Sequence, residues 1–81
     1  MWFVYLMICQ DKSIYTGITN DLKARFKKHR AGKGGHYTRS HTPIKIIYTE
    51  RFKTKGKALK RESEIKLWNK KRKLNLIKRP S

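Results

Sequence analysis

The stretch SIYTGITNDLKARFKKH, residues 13–29, sets Tyr15 and Gly17 ahead of Arg25 and His29, and the last two are four residues apart. A phenol, a guanidinium and an imidazole are the side chains that proton transfer next to a phosphate would use. Each also has an ordinary reading, because tyrosines are common in half-buried strands and Arg25 and His29 fit a general basic face. Phosphodiester hydrolysis usually adds a carboxylate that holds a hard cation. The chain has five acids. Asp11 falls in an expected turn and Asp21 is explained by helix capping, which leaves Glu50, Glu62 and Glu64. On a helical wheel Glu62 lies between Ala58, Leu59 and Ile65, on the face expected to pack inward, and Glu64 is turned about 200° away. A carboxylate on an apolar face is costly unless something cationic meets it. A basic side chain and a metal ion both satisfy that condition at Glu62, and the two readings stand together.

Other motifs are excluded. GKGG, residues 32–35, lacks the full spacing of a phosphate-binding P-loop. His36 and His41 have no paired cysteines beside them, which argues against zinc.

The elements that must position these groups follow from pattern. MWFVYLMIC is an apolar run too short to span a bilayer, without the basic flank and small-residue cleavage site of a signal peptide, and it reads as a buried strand. With the polar turn CQDKS and the β-rich IYTGI it predicts a hairpin of residues 2–9 and 13–18. A connecting loop with an odd number of residues would put Tyr5 and Tyr15 on one face. TNDLKARFKKHR, with Asn20 and Asp21 as capping candidates and Leu22 and Phe26 at i and i+4, predicts an amphipathic helix from whose border Arg25 and His29 project together. AGKGGHYTRSHTP predicts a long loop. IKIIYTERF predicts a third strand with Ile44, Ile46 and Tyr48 on one face. A second helix is expected over residues 57–69, and Leu74 and Ile77 are spaced for a short third one. The fold class is α+β: a small three-stranded, largely antiparallel sheet packed against two or three helices.

A chain of 81 residues is expected to form a single domain over 1–81. Lys and Arg number 22, and the formal charge is +17, far beyond what solubility needs. The basic residues are spread along the whole chain, so nucleic acid fits as the polyanionic partner better than a membrane does. The single Cys9 excludes an internal disulfide framework and suits a reducing, cytoplasmic compartment.

With these pieces in order, the chain resembles the GIY-YIG nuclease family. In that family two short strands carry G-I-Y-like and Y-I-G-like motifs, a helix follows with an arginine, and a later helix supplies a glutamate. The corresponding residues are FVY at 3–5, YTG at 15–17, LKARFKKH with Arg25 and His29, and KALKRESEIK with Glu62. GKGGHYTR and ESEIK match the small stand-alone branch most closely. Phe3 stands where the family often has glycine, and Ile18 where some relatives have a lysine. The resemblance implies a metal-dependent endonuclease acting on nucleic acid, DNA ahead of RNA, with an unidentified protein partner as one route to targeting. It implies Tyr15, together with Tyr5, as general base, Arg25 facing the developing charge and His29 orienting the tyrosine or water or assisting the leaving oxygen. Glu62 would hold one Mg²⁺ or Mn²⁺. Lys33, His36, Tyr37 and Arg39 of the glycine-rich loop are the candidate nucleic-acid contacts. Only about one ordinary tyrosine in a thousand is ionised at neutral pH, so cationic surroundings are a requirement for such a base. A non-catalytic nucleic-acid-binding module is the alternative from a different class.

Overall fold

The computed structural model describes residues 1–31 and 42–78. The first hairpin joins β1 (Trp2–Cys9) to β2 (Ile14–Thr19) antiparallel, and β3 (Pro43–Phe52) adds antiparallel to the other side of β1, giving the order β2-β1-β3. Cys9 and Ser13 close the hairpin, and Lys12 donates its N–H to the Cys9 carbonyl at 2.9 Å with Lys12 itself at φ 69°. That is a three-residue loop ending in a left-handed residue, whose geometry follows the strand twist. The Asp11 carboxylate fastens it by accepting from the backbone N–H and hydroxyl of Ser13. Because the loop is odd, Tyr5 pairs with Gly17 and Met7 with Tyr15, which puts both tyrosines on the same face.

The opposite face of the sheet carries the apolar core. Val4, Leu6 and Ile14 are buried there against Ala58 and Ile65 of α2 (Lys55–Lys66), with Trp68 behind and Leu74 and Leu76 of α3 (Lys70–Lys78) closing the edge. Glu50 shares this face because it pairs with Val4. Its carboxylate accepts from Arg61 of α2 at 2.9 and 3.1 Å and from the Tyr48 hydroxyl at 2.6 Å. This half-buried bidentate pair ties sheet to helix and, although burial alone would raise it, holds the Glu50 carboxyl below the usual range. On the tyrosine face lies α1 (Leu22–Arg30). It begins where the Asp21 side chain accepts from the Ala24 N–H at 3.0 Å, so Asp21 is the cap and Asn20 is left outside it.

Several expectations are corrected. Ile44, Ile46 and Tyr48 do not share a face. Tyr48 pairs with Leu6 and Ile46 with Met7, so an extra residue, Ile47, is inserted in β3, and a second irregularity follows at Ile44. Such bulges reverse the alternation and blunt an edge strand against pairing with another chain. The second helix spans residues 55–66 and not 57–69. Thr54 caps it by accepting from the Lys57 N–H at 3.3 Å, and the chain leaves it at Leu67 so that Asn69 can cap α3 by accepting from the Arg72 N–H at 2.9 Å. Leu59 points outward and is 42% exposed, since Ala58 and Ile65 alone define the buried line of α2. The expected loop over AGKGGHYTRSHTP lies largely outside the described residues.

Gly56, in the first turn of α2, has open space where a β-carbon would go. Replacing it by alanine removes chain entropy from the unfolded state without a clash, so Gly56→Ala should stabilise the protein by about 0.5–1 kcal/mol, read as a higher urea midpoint. Gly17→Ala is expected to do the reverse. A β-carbon there would sit 2.6 Å from the Tyr5 hydroxyl and 2.9 Å from the Tyr15 ring, and the loss should be about 1–3 kcal/mol.

Candidate active site

Gly17 is where the site begins. It sits directly across from Tyr5 in the β1–β2 ladder, and the Tyr5 ring lies over it in the space a side chain would fill. The Tyr5 hydroxyl is thereby carried across β2, the edge strand, to meet Nε2 of His29 at 2.8 Å. Tyr15 packs beside both, its ring 6.1 Å from that of Tyr5 and 5.0 Å, edge-on, from the His29 imidazole. Tyr5 and His29 are each 1% exposed and Tyr15 is half-buried.

Arg25, one helical turn before His29, hydrogen-bonds the side chains of both Tyr5 and Tyr15. A guanidinium can only donate, so both phenol oxygens accept from it. Burial pushes the Tyr5 phenol up to about 12, against the lowering effect of Arg25, with the charges of Tyr15 and Glu62 adding to the rise. Tyr5 therefore keeps its proton at neutral pH and donates it to His29, which fixes the imidazole as neutral with Nε2 accepting and the proton on Nδ1.

His29 lies in the last turn of α1, where the helix dipole favours a cation by about 2 kcal/mol at most. Desolvation and the neighbouring Arg25 charge act the other way and win, bringing the imidazole down to about 4.

Glu62 enters from α2, on the other side of the sheet, and is close enough for its charge to be felt at the Tyr5 phenol. Its side chain is 14% exposed and pairs with Lys66, one turn on, at 3.4 Å. The cation that an inward carboxylate requires is thus supplied by its own helix. Such an i,i+4 pair with a half-exposed lysine is worth only about 0.3–0.5 kcal/mol, so Glu62 can be released to another cation. Among the described residues no group of three or more His, Cys, Asp and Glu side chains gathers around a point. A single carboxylate nevertheless suits Mg²⁺ or Mn²⁺ that keeps several waters and takes its other ligands from substrate phosphate. Glu64 is 55% exposed and reaches Arg61 at 3.7 Å, away from this cluster.

Tyr5, Tyr15, Arg25 and His29 are therefore brought together from β1, β2 and α1, and Glu62 of α2 is near enough for its charge to act on Tyr5. Lys33, His36, Tyr37 and Arg39 lie outside the described residues. Sequence reasoning missed what Gly17 does for Tyr5 and the Lys66 partner of Glu62. A glycine inside a strand is a sign of close approach, and the four-residue spacing of Glu62 and Lys66 was there to be read.

The folded protein holds His29 neutral well below its unfolded pKa of about 6.5. That stability is present above pH 6.5 and is lost as pH falls from there toward 4, because the unfolded chain takes up the proton first. The expected loss is on the order of 3 kcal/mol. Urea midpoints measured between pH 7 and 4.5 should fall in the parent and fall less in His29→Gln, whose amide can still accept from Tyr5.

Comparison with known proteins gives the family and the fold. The family model described as the GIY-YIG catalytic domain matches residues 1–75. A UPF0213 protein of Staphylococcus aureus strain Mu3 is 47% identical over 76 residues, covering 94% of this chain and 93% of its own, and the UPF0213 protein SAOUHSC_00458 of strain NCTC 8325 matches to the same extent. The solution NMR structure of the UPF0213 protein BH0048 from Bacillus halodurans superposes with a TM-score of 0.60 at 39% identity, covering 96% of this chain and 84% of that one. With the family model matching residues 1–75 and the UPF0213 relatives aligned over 94% of it, this chain belongs to the GIY-YIG family of nuclease domains.

Proposed function

We propose that the protein is a cytoplasmic, divalent-metal-dependent endonuclease that hydrolyses phosphodiester bonds in nucleic acid, with DNA its substrate ahead of RNA. The observation that carries this reading is the meeting of two phenols, a guanidinium and an imidazole from three elements, with the carboxylate of a fourth near enough for its charge to act on them. A packed core has no need of that collection, and phosphoryl chemistry uses each member.

The roles divide by burial. Tyr5 is dry, protonated and held by both Arg25 and His29, so it is a positioning group. Tyr15, less buried and also hydrogen-bonded by Arg25, is the base that takes the proton from the attacking water. The guanidinium then lies where it can stabilise both a phenolate and the charge that builds on the phosphate oxygens. His29, neutral and fixed by Tyr5, keeps Tyr15 in place through its edge contact. Glu62 is the residue that would hold Mg²⁺ or Mn²⁺, which when bound would neutralise charge on the phosphate. The +17 chain supplies the attraction to a polyanion.

The Glu62–Lys66 ion pair favours a second reading, a non-catalytic nucleic-acid-binding module in which Glu62 is purely structural. One set of variants separates the two. A labelled panel of DNA and RNA substrates, incubated with Mg²⁺, Mn²⁺ or EDTA, should be cut by the parent only with metal. Tyr15→Phe should lower kcat by about 10²–10⁴-fold with binding within about two-fold, because only a hydroxyl is removed. Glu62→Gln should lose metal-dependent cleavage by a similar factor and bind as tightly or more so. Glu64→Gln, the same change at an exposed position, should stay within about three-fold of the parent and within about 0.5 kcal/mol in stability. Equal losses at Glu62 and Glu64, or no metal-dependent cleavage by the parent, would leave the binding module as the better account.

A further inference from the structure

The proposed chemistry uses Glu62 and leaves its partner without a role. Lys66 holds the Glu62 carboxylate at 3.4 Å from one turn further along α2, with glutamate ahead of lysine, the orientation that helix geometry favours at this spacing. The two side chains differ in freedom. That of Glu62 is 14% exposed, whereas that of Lys66 is 53% exposed and carries its ammonium on a flexible four-carbon stem. A second ammonium stands close by. Burial first, and then the charge of Lys66, hold the half-buried Lys73 of α3 below the usual lysine range. Glu62 therefore draws the Lys66 ammonium while Lys73 repels it.

A divalent ion on Glu62 would leave the Lys66 ammonium beside a dication, with Lys73 near, and this repulsion weakens metal binding to the free protein. Phosphate relieves it. The group that completes the metal's ligands also gives the displaced ammonium an anion to hold. We propose that Lys66 is an exchangeable counterion: it occupies Glu62 in the free protein, competes there with the divalent metal, and passes to a substrate phosphate when metal and nucleic acid bind together. The inference rests on the reading of Glu62 as the metal residue, and it adds a substrate contact and a coupling to that reading. Metal is bound well only with nucleic acid in place, and by linkage the metal tightens the nucleic acid by the same factor.

The test begins without nucleic acid. Mn²⁺ broadens the amide signals of residues near it in a ¹⁵N-labelled sample, so the broadening per added Mn²⁺ at residues 61–65 follows occupancy at Glu62. Amides around Asp11, an exposed carboxylate on the hairpin, serve as the reference. Lys66→Met should give at least about three times the parent's broadening at residues 61–65 with the reference unchanged, since both the ion pair and the ammonium charge are gone. The gain should vanish when Glu62→Gln is added. Lys66→Arg, which keeps the pair, should stay near the parent, and so should Lys57→Met, which removes an exposed charge from the first turn of the same helix. With substrate present, Lys66→Met should raise KM by about three- to tenfold, because a phosphate has lost its cation. Unchanged thermal melts check the folds of these variants. No gain in broadening for Lys66→Met, an equal gain for Lys57→Met, or a gain that survives Glu62→Gln would overturn the competition at Glu62, and an unchanged KM would overturn the transfer to phosphate. The nuclease reading would stand in each of these cases. If the parent cuts no substrate with Mg²⁺ or Mn²⁺, that reading falls instead, and the competition at Glu62 is then decided by the broadening.

Discussion

The Tyr5 ring can cross β2 only because residue 17 has no side chain, and most of the site depends on that crossing. With the end of the ring in the space over Gly17, its hydroxyl meets His29 and Arg25 of α1. A phenol buried to 1% exposure must have its hydrogen-bonding capacity satisfied, and a neutral imidazole and a guanidinium do so from one helix. Tyr5 donates to His29 and accepts from Arg25, so the orientation of α1 against the sheet and the state of the phenol determine each other. Remove the hydroxyl and His29 is left with a buried unpaired nitrogen, which costs about 1–3 kcal/mol. Add a methyl at Gly17 and both aromatic rings must move.

Charge is allocated with the same economy. Against 22 basic residues stand five acids, and four of them are occupied in structure: Asp11 closes the hairpin, Asp21 caps α1, Glu50 locks β3 to α2 and Glu64 reaches Arg61. Only Glu62 reaches the tyrosine cluster electrostatically, and its partner Lys66 is half in solvent and easily exchanged. Glu62 is thus held by a weak ion pair on its own helix. Trp68 shows the opposite use of charge, with Arg72 at 4.2 Å and Arg61 at 5.2 Å from its ring, where cation–π contact makes a place for guanidinium groups in a molecule short of carboxylates.

What the sequence made legible was what depends on period and capping. Two-residue alternation tied a shared face for Tyr5 and Tyr15 to an odd loop, whose length came only with the fold, and the four-residue spacing brought Arg25 and His29 out together. Asp21 at the head of α1 and Glu62 beside Ala58 and Ile65 were readable for the same reason. The parts that escaped depend on neighbours distant in sequence. No local pattern announces the extra residue in β3 that turns Ile46 from Tyr48, because a bulge answers to how the edge strand must bend over its partner. Helix α2 begins two residues before the expected start, because Thr54 caps it, and ends three residues before the expected end. The difference in burial between the tyrosines was also hidden. Both sit in strands of similar composition, and only the packing of α1 makes Tyr5 dry and leaves Tyr15 half open.

The placement of this chemistry on β2 follows from what an edge strand is. An edge has one side without strand neighbours, ordinarily a hazard because it invites pairing with other chains. Here β2 is short and is flanked by helices on opposite faces of the sheet, α1 over the tyrosines and α2 over the core. Among the described residues no strand pairs beyond β2, so groups from both helices can act there, as the charge of Glu62 does on Tyr5. An edge that no third strand covers is also the part of a sheet that an extended polyanion can approach closely. The geometry that lets residues from two layers meet is the same geometry that exposes them to a substrate.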